Sequence, residues 1–438
     1  MKRRDLLHLL ALSPFGGVAA ANANAPAAPQ AQPDSCAAPL PSDLARHELV
    51  TAAWDGIEPA RVWDAHSHLV GTGGSGGGAS VHPDTMSWRS PLERARRLLI
   101  LDAACIDEEP DATLDARYVA RLRHLLAVLP AGVKLLLFAF DHACDEQGVE
   151  LPSVSTFHVP NAYAAAVAHA GADRFEWVAS IHPYRPDALD RLDAAAAAGA
   201  RGVKWLPSSM NIDPGSARCD AFYCRLVQHK LPLTIHCGEE LAAPGARQEA
   251  LNNPLLLRRP LEAGVRVVAA HAASLGYAKD FEAVPGSRDP AAGPSARSFH
   301  LFARLMDDKT YAGRLFADIS AVFQRNRELD VAQTLLARKE WHARLLHGSD
   351  YPVPGIRLAY RLRRFVDAQM LDAAAAPALE RLQRHNPLLF DWVLKRTIHH
   401  QGARLPVEIF HTREFFAPQA HAKETNAKEC RPQINSRC

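Results

Sequence analysis

The chain has 438 residues, 48% hydrophobic and 22% charged, which supports a sizeable core and excludes a disordered, collagen-like or disulfide-dense protein. Its 50 basic and 48 acidic residues leave a formal charge of +2. The first 25 residues carry that excess, and a near-neutral remainder gives no electrostatic reason to expect nucleic acid or an anionic membrane as partner.

In chain order, residues 1–25 read as an export signal. Lys2, Arg3 and Arg4 precede a short apolar run that Ser13, Pro14, Gly16 and Gly17 interrupt, and Ala23-Asn24-Ala25 offers a cleavage site. The arginine pair is similar to a twin-arginine signal, which implies a periplasmic location and no membrane span after processing. Residues 26–44, rich in Ala, Pro and Gln, read as a flexible linker. A folded body follows at 45–415, then a polar tail at 416–438. Cys105, Cys144, Cys219, Cys224 and Cys237 are scattered through the body and read mostly as buried apolar side chains, while Cys430 and Cys438 could pair in the tail.

The body alternates apolar runs with helical patterns. Strands are expected at 62–66, 134–140, 176–181, 202–206, 233–236, 266–271, 315–319 and 345–348, continuously apolar as parallel strands covered on both faces are. Helices are expected at 187–198, 221–229, 254–263, 298–307, 331–341 and 358–369, with two more (91–105 and 114–129) inserted after the first strand. Eight alternations predict an α/β fold, a (β/α)8 barrel, with an open doubly wound sheet as the competing architecture. The glycine-rich stretch 71–78 lacks the spacing of a phosphate loop and reads as a mobile loop over the barrel mouth.

The first strand ends in Asp64-Ala65-His66-Ser67-His68. Strand alternation puts both imidazoles on one face, where they can grip a divalent metal, with Asp64 one step deeper as a brace. Strands five and six end in His236 and His271, and the eighth ends near Asp350. The 35 residues from His236 to His271 make one strand–helix unit, and the 79 from His271 to Asp350 make two. In a barrel all five residues ring one mouth. Lys204, at the end of strand four, can be carboxylated to bridge two metals, can bind an anionic substrate group, or can reach solvent. Cys237 is expected to point to the helix layer, His142 and His182 to be ordinary rim histidines, and Glu239 and Glu240 to be solvated.

The motifs DAHSH, GVKWLP, LTIHCGEE, VVAAH and HGSDYP resemble those of the amidohydrolase superfamily, most closely its family 2 group. The resemblance spans residue 61 to about 386. It implies that His66, His68 and His236 are metal ligands and that His271 ligates a second metal or hydrogen-bonds substrate. It also implies that Asp350 contacts the metal and takes the proton from bound water. One or two divalent ions, zinc foremost, are the expected cofactor, with Lys204 carboxylated in some relatives. The expected activity is hydrolysis of a C–N, ester or lactone bond of a small molecule by metal-activated water. Non-oxidative decarboxylation, a TatD-type nuclease or phosphoesterase, and a non-catalytic binding protein are the alternatives. Homo-oligomerisation is compatible with the sequence, and substrate-binding residues are not legible from it.

Overall fold

The computed structural model describes residues 38–107 and 113–417. The export signal, most of the linker and nearly all of the polar tail lie outside those residues. Inside the segment read as linker, Ser42–Ala45 forms a short helix whose Leu44 is fully buried.

Eight parallel strands form the centre: β1 (Trp63–His68), β2 (Lys134–Phe138), β3 (Phe175–Val178), β4 (Val203–Trp205), β5 (Leu233–His236), β6 (Val267–Ala270), β7 (Leu315–Asp318) and β8 (Leu345–Leu346). Regular pairing links β1-β2-β3 and β4-β5-β6-β7-β8. Two seams join these sheets. At one, Ala179 bridges Val203, and Lys204 N–H donates to the Ala179 carbonyl at 2.7 Å. At the other, Ser67 bridges Tyr351, Ala65 N–H donates to His347 O (3.0 Å), and Asp350 N–H donates to His66 O (2.7 Å). The sheet therefore closes on itself, and the open alternative is excluded.

Helices α1 (Pro91–Ala103) and α2 (Leu114–Leu126) occupy the expected insertion after β1. They are followed by α3 (Asn161–Ala170), α4 (Ala188–Ala197), α5 (Asp220–His229), α6 (Arg258–Glu262), α7 (Ser298–Asp307), α8 (Leu329–Ala337) and α9 (Arg363–Asp367). The alanine-rich α3 was not expected: its apolar residues surround the helix and give a weak periodic signal. Two C-terminal helices, α10 (Ala376–His385) and α11 (Pro387–Thr397), were also missed. After them the chain returns to the first strand. The Thr412 hydroxyl accepts Trp63 N–H at 3.0 Å and also bonds Trp63 O, and Phe416 packs with Trp63, Leu136, Val178, Val268 and Leu346 to close the bottom of the cylinder.

One irregularity positions the chemistry. Asp64 pairs Leu135, but Ser67 pairs Leu137, so β1 carries one extra residue there, a β-bulge. Below it Trp63 and Ala65 face the interior with Leu136 and Phe138. Above it the rings of His66 and His68 lie against Phe138, at centroid distances of 4.8 and 5.9 Å. Asp64 thus faces the helix layer, beside Leu135, Leu388 and Trp392, and the expectation that it shares a face with the histidines is corrected.

The glycine-rich loop is neither a phosphate cradle nor unrestrained. The buried Asp115 carboxylate accepts the amides of Thr72 (2.6 Å), Gly73 (3.2 Å) and Ser75 (3.4 Å) and the Ser75 hydroxyl (2.9 Å). An internal anion already occupies these donors. Gly73 is required here: its φ is +88°, and a Cβ would sit 2.5 Å from the Ala79 carbonyl oxygen.

Candidate active site

The residues expected at the mouth converge. One ligand atom from each of His66, His271 and Asp350 lies within 4.8 Å of the others, a candidate metal site among the described residues. Asp350 Oδ1 is 3.1 Å from His68 Nε2 and 3.6 Å from His66 Nε2. The His236 ring stands edge-on to His271 at 5.3 Å, and the His66 and His271 rings stack at 4.7 Å. His271 (φ 56°) and Asp350 (φ 62°) adopt left-handed backbone conformations, which cost non-glycine residues about 1 kcal/mol or more. Hydrogen bonds hold them there: His271 N–H donates to Asp318 Oδ1 at 3.1 Å, and Asp350 N–H to His66 O.

Asp318, at the end of β7, was missed by the sequence reading and organises the site. It is fully buried, and its Oδ2 accepts from His66 Nδ1 at 3.0 Å. Its Oδ1 takes the Ser320 amide at 3.1 Å and the Ser320 hydroxyl, while Ser320 Oγ lies 2.8 Å from His271 Nδ1. With both Nδ1 atoms engaged, His66 and His271 keep Nε2 as the remaining ring nitrogen. Glu240 does the same for His236, its Oε2 3.3 Å from Nδ1. Contrary to the expectation of a solvated loop charge, the Glu240 side chain is only 7% exposed and accepts the Ala242 and Ala243 amides. Burial pushes His66, His236 and His271 below their ordinary value, keeping the rings neutral, although Glu240 opposes this at His236.

This donor set fits a divalent metal. His66 Nε2 and His236 Nε2 are buried polar atoms with no hydrogen-bond partner, and each Nδ1 is braced by an oxygen group, the arrangement that orients metal-binding imidazoles. His68, 21% exposed at its side chain, marks the solvent side.

Lys204 is 1% exposed, so the solvent-reaching reading is corrected. Its Nζ has no hydrogen-bond partner and stands 5.3 Å from the Phe138 ring, the same ring that His66 packs on. Burial lowers its affinity for a proton, while Asp318, Asp350 and Glu240 oppose the effect. His182 is structural, its Nε2 bonded to Met210 O at 2.8 Å and its Nδ1 accepting Tyr184 N–H. His142 stacks on His158 at 4.0 Å. Cys237 is buried, and burial raises its thiol to about 12, which suits packing.

With this geometry in view, comparison with known proteins is informative. The amidohydrolase family model Amidohydro_2 matches residues 63–388, from β1 into α11. The chain belongs to the amidohydrolase family. The match makes it an enzyme of the amidohydrolase type and covers every residue of the site. No curated protein matches the sequence. Among solved structures, 5-carboxyvanillate decarboxylase from Sphingomonas paucimobilis is similar at 12% identity, covering 82% of this chain and 100% of that one, with a TM-score of 0.45. An uncharacterised TIM-barrel protein from Bordetella bronchiseptica is 16% identical over 66% of this chain and 86% of its own (TM-score 0.40). An amidohydrolase from Burkholderia multivorans is 13% identical over 72% and 95% (TM-score 0.38). No helix among the described residues is long and apolar enough to cross a membrane.

Proposed function

We propose that this amidohydrolase is a metal-dependent hydrolase of a C–N, ester or lactone bond in a small molecule. The observation that carries the reading is the buried cluster of His66, His271 and Asp350, with carboxylate- or hydroxyl-braced imidazoles presenting Nε2 inward. His66, His68, His236 and Asp350 would hold the ion, and His271 would hold a second ion or donate to substrate. When bound, a divalent ion such as zinc would polarise a carbonyl and lower the pKa of water toward neutrality. Asp350 takes the proton of the attacking water at its carboxylate and delivers it to the leaving group. Asp318 and Glu240 keep the imidazoles in the tautomer that faces the centre. Lys204, buried without a hydrogen-bond partner, would serve either as a carbamate ligand to metal or as an ammonium against substrate.

Decarboxylation is the second reading: the compact three-residue group found among the described residues would suffice for the single ion that reaction needs, with no attacking water. An exported, periplasmic enzyme remains our reading of the N-terminal residues. The test uses the metal-loaded full chain and a panel of amides, esters, lactones and aromatic acids. Elemental analysis is expected to find one or two equivalents of zinc, His66→Ala to lose most of it, and Asp350→Asn to retain metal with turnover down at least 1000-fold. Absence of metal after zinc supplementation, or unchanged rates in both variants, would refute the reading.

A further inference from the structure

The candidate centre occupies one end of the cylinder, and a second concave site lies at the other. At the strand starts, under the returning C-terminal segment, a cleft of about 260 Å³ has Trp63, Lys134, Glu176, Arg201 and Arg413 as its aromatic and charged lining. Three cations gather around one indole. Lys134 Nζ stands 5.6 Å from the centre of the Trp63 ring, and the Arg201 and Arg413 guanidinium carbons stand at 5.5 and 6.0 Å. Lys134 opens β2, Arg201 comes just before β4, and Arg413 belongs to the segment that closes the base.

Glu176 is the one carboxylate of this lining. Its oxygens accept from Lys134 Nζ at 2.7 Å and from Arg201 Nε at 2.8 Å. Both cations are thereby fixed, and the terminal nitrogens of Arg201 have no hydrogen-bond partner among the described residues. Arg413 Nη1 reaches the Ala60 carbonyl at 3.3 Å, and the neighbouring Glu414 is held by Arg61. Other arginines at this end are engaged differently: Arg174, Arg266 and Arg314 each donate to two backbone carbonyls. Around Trp63, three positive charges face one negative, a surplus of two. The Lys134 and Arg201 side chains are 21% exposed, so solvent screens their repulsion only in part. A ligand with two negative charges balances the cleft.

We propose that this basal cleft is a second ligand site, which takes a phosphate dianion, either free or as a small phosphate monoester. Two guanidinium groups and an ammonium supply charge-assisted N–H donors for the phosphate oxygens. Because Arg413 belongs to the C-terminal return and Lys134 and Arg201 to the barrel, the bound dianion also pins that segment to the base. The site is separate from the metal centre and stands without the proposed function.

The test titrates the zinc-loaded full chain and its His66→Ala variant by calorimetry at low ionic strength and pH 8. Phenylphosphonate, inorganic phosphate and nitrate are the probes. His66→Ala empties the metal centre, so any dianion held by the ion is lost there while the basal site remains. In that variant one equivalent of dianion is expected, bound at least 10-fold tighter than nitrate and weakened by added salt. Adding Arg413→Gln, at an exposed position, should weaken it roughly 10- to 100-fold, and Arg413→Lys should recover part of the loss. In the zinc-loaded parent, Arg413→Gln should remove one equivalent of dianion with zinc content unchanged. The dianion should raise the melting temperature of His66→Ala and fail to do so once Arg413→Gln is added. Equal affinity for the two dianions assigns free phosphate, a preference for phenylphosphonate assigns the ester, and both support the site. No dianion bound in His66→Ala, no preference over nitrate, or binding indifferent to Arg413→Gln would overturn the proposal.

Discussion

His182 sets an acid limit for the fold. Burial lowers its pKa to about 4, against an ordinary 6.5 in the unfolded chain. A depressed histidine contributes stability that is complete above pH 6.5 and is lost as pH falls toward 4, because only the unfolded chain takes up the proton. At ~1.4 kcal/mol per unit the loss reaches about 3 kcal/mol. Urea midpoints should fall across this window, and ring-proton NMR should show His182 untitrated above pH 5. Asp318 makes a different contribution, as the acceptor for His66 Nδ1. Asp318→Asn should weaken zinc affinity 10- to 100-fold, read by competition with a chromogenic chelator. The histidines and Asp350 were legible in sequence because each ends an apolar strand at unit spacing. Asp318 ends β7 in the same manner, so its signal was present. Glu240 sits on a loop, where side-chain direction follows from packing that no period encodes.

At the level of elements, α11 supports the segment that carries Asp350. Lys395 Nζ donates to Gly348 O and to Asp391 Oδ2, both at 2.6 Å, in full burial. Asp64 accepts the amides of Ser349 (2.8 Å) and His66 (3.1 Å), tying β1 to the same turn. Lys395→Met strands a buried carboxylate and should cost about 3–5 kcal/mol, whereas Asp391→Leu with Lys395→Met should restore most of it; chemical denaturation of both variants checks this. The sequence disclosed strands and the helices of one periodic face, but split 254–263 and 331–341 differently from the fold. A 3-10 turn, Pro254–Leu257, precedes α6, and another, Lys339–Arg344, follows α8. Such tight turns share the apolar spacing of an α-helix over a few residues and escape a periodic reading.

Across the whole molecule, metal binding and folding are linked, because the candidate ligands come from strands that meet only in the closed cylinder. Free zinc at ~100 times its dissociation constant should stabilise the fold by about 2.7 kcal/mol. Calorimetry should show a rise in melting temperature that a chelator reverses and that His66→Ala lacks. Eight apolar runs alternating with helices were readable, but alternation alone left an open sheet as the competing architecture, and closure came from the two seams. Nor was it readable how the ends meet: the return of Thr412 to Trp63 joins residues 349 apart, and nothing local announces it.

The extra residue in β1 has a lasting effect on how this protein can change. It decouples two zones of one strand, so that the aliphatic and aromatic filling below can be exchanged without rotating the imidazoles above. Removing Ala65 would put the strand back in phase with His66 opposite Leu136 and His68 opposite Phe138, so both rings would still face the mouth and the loss would fall on the interior filling below them.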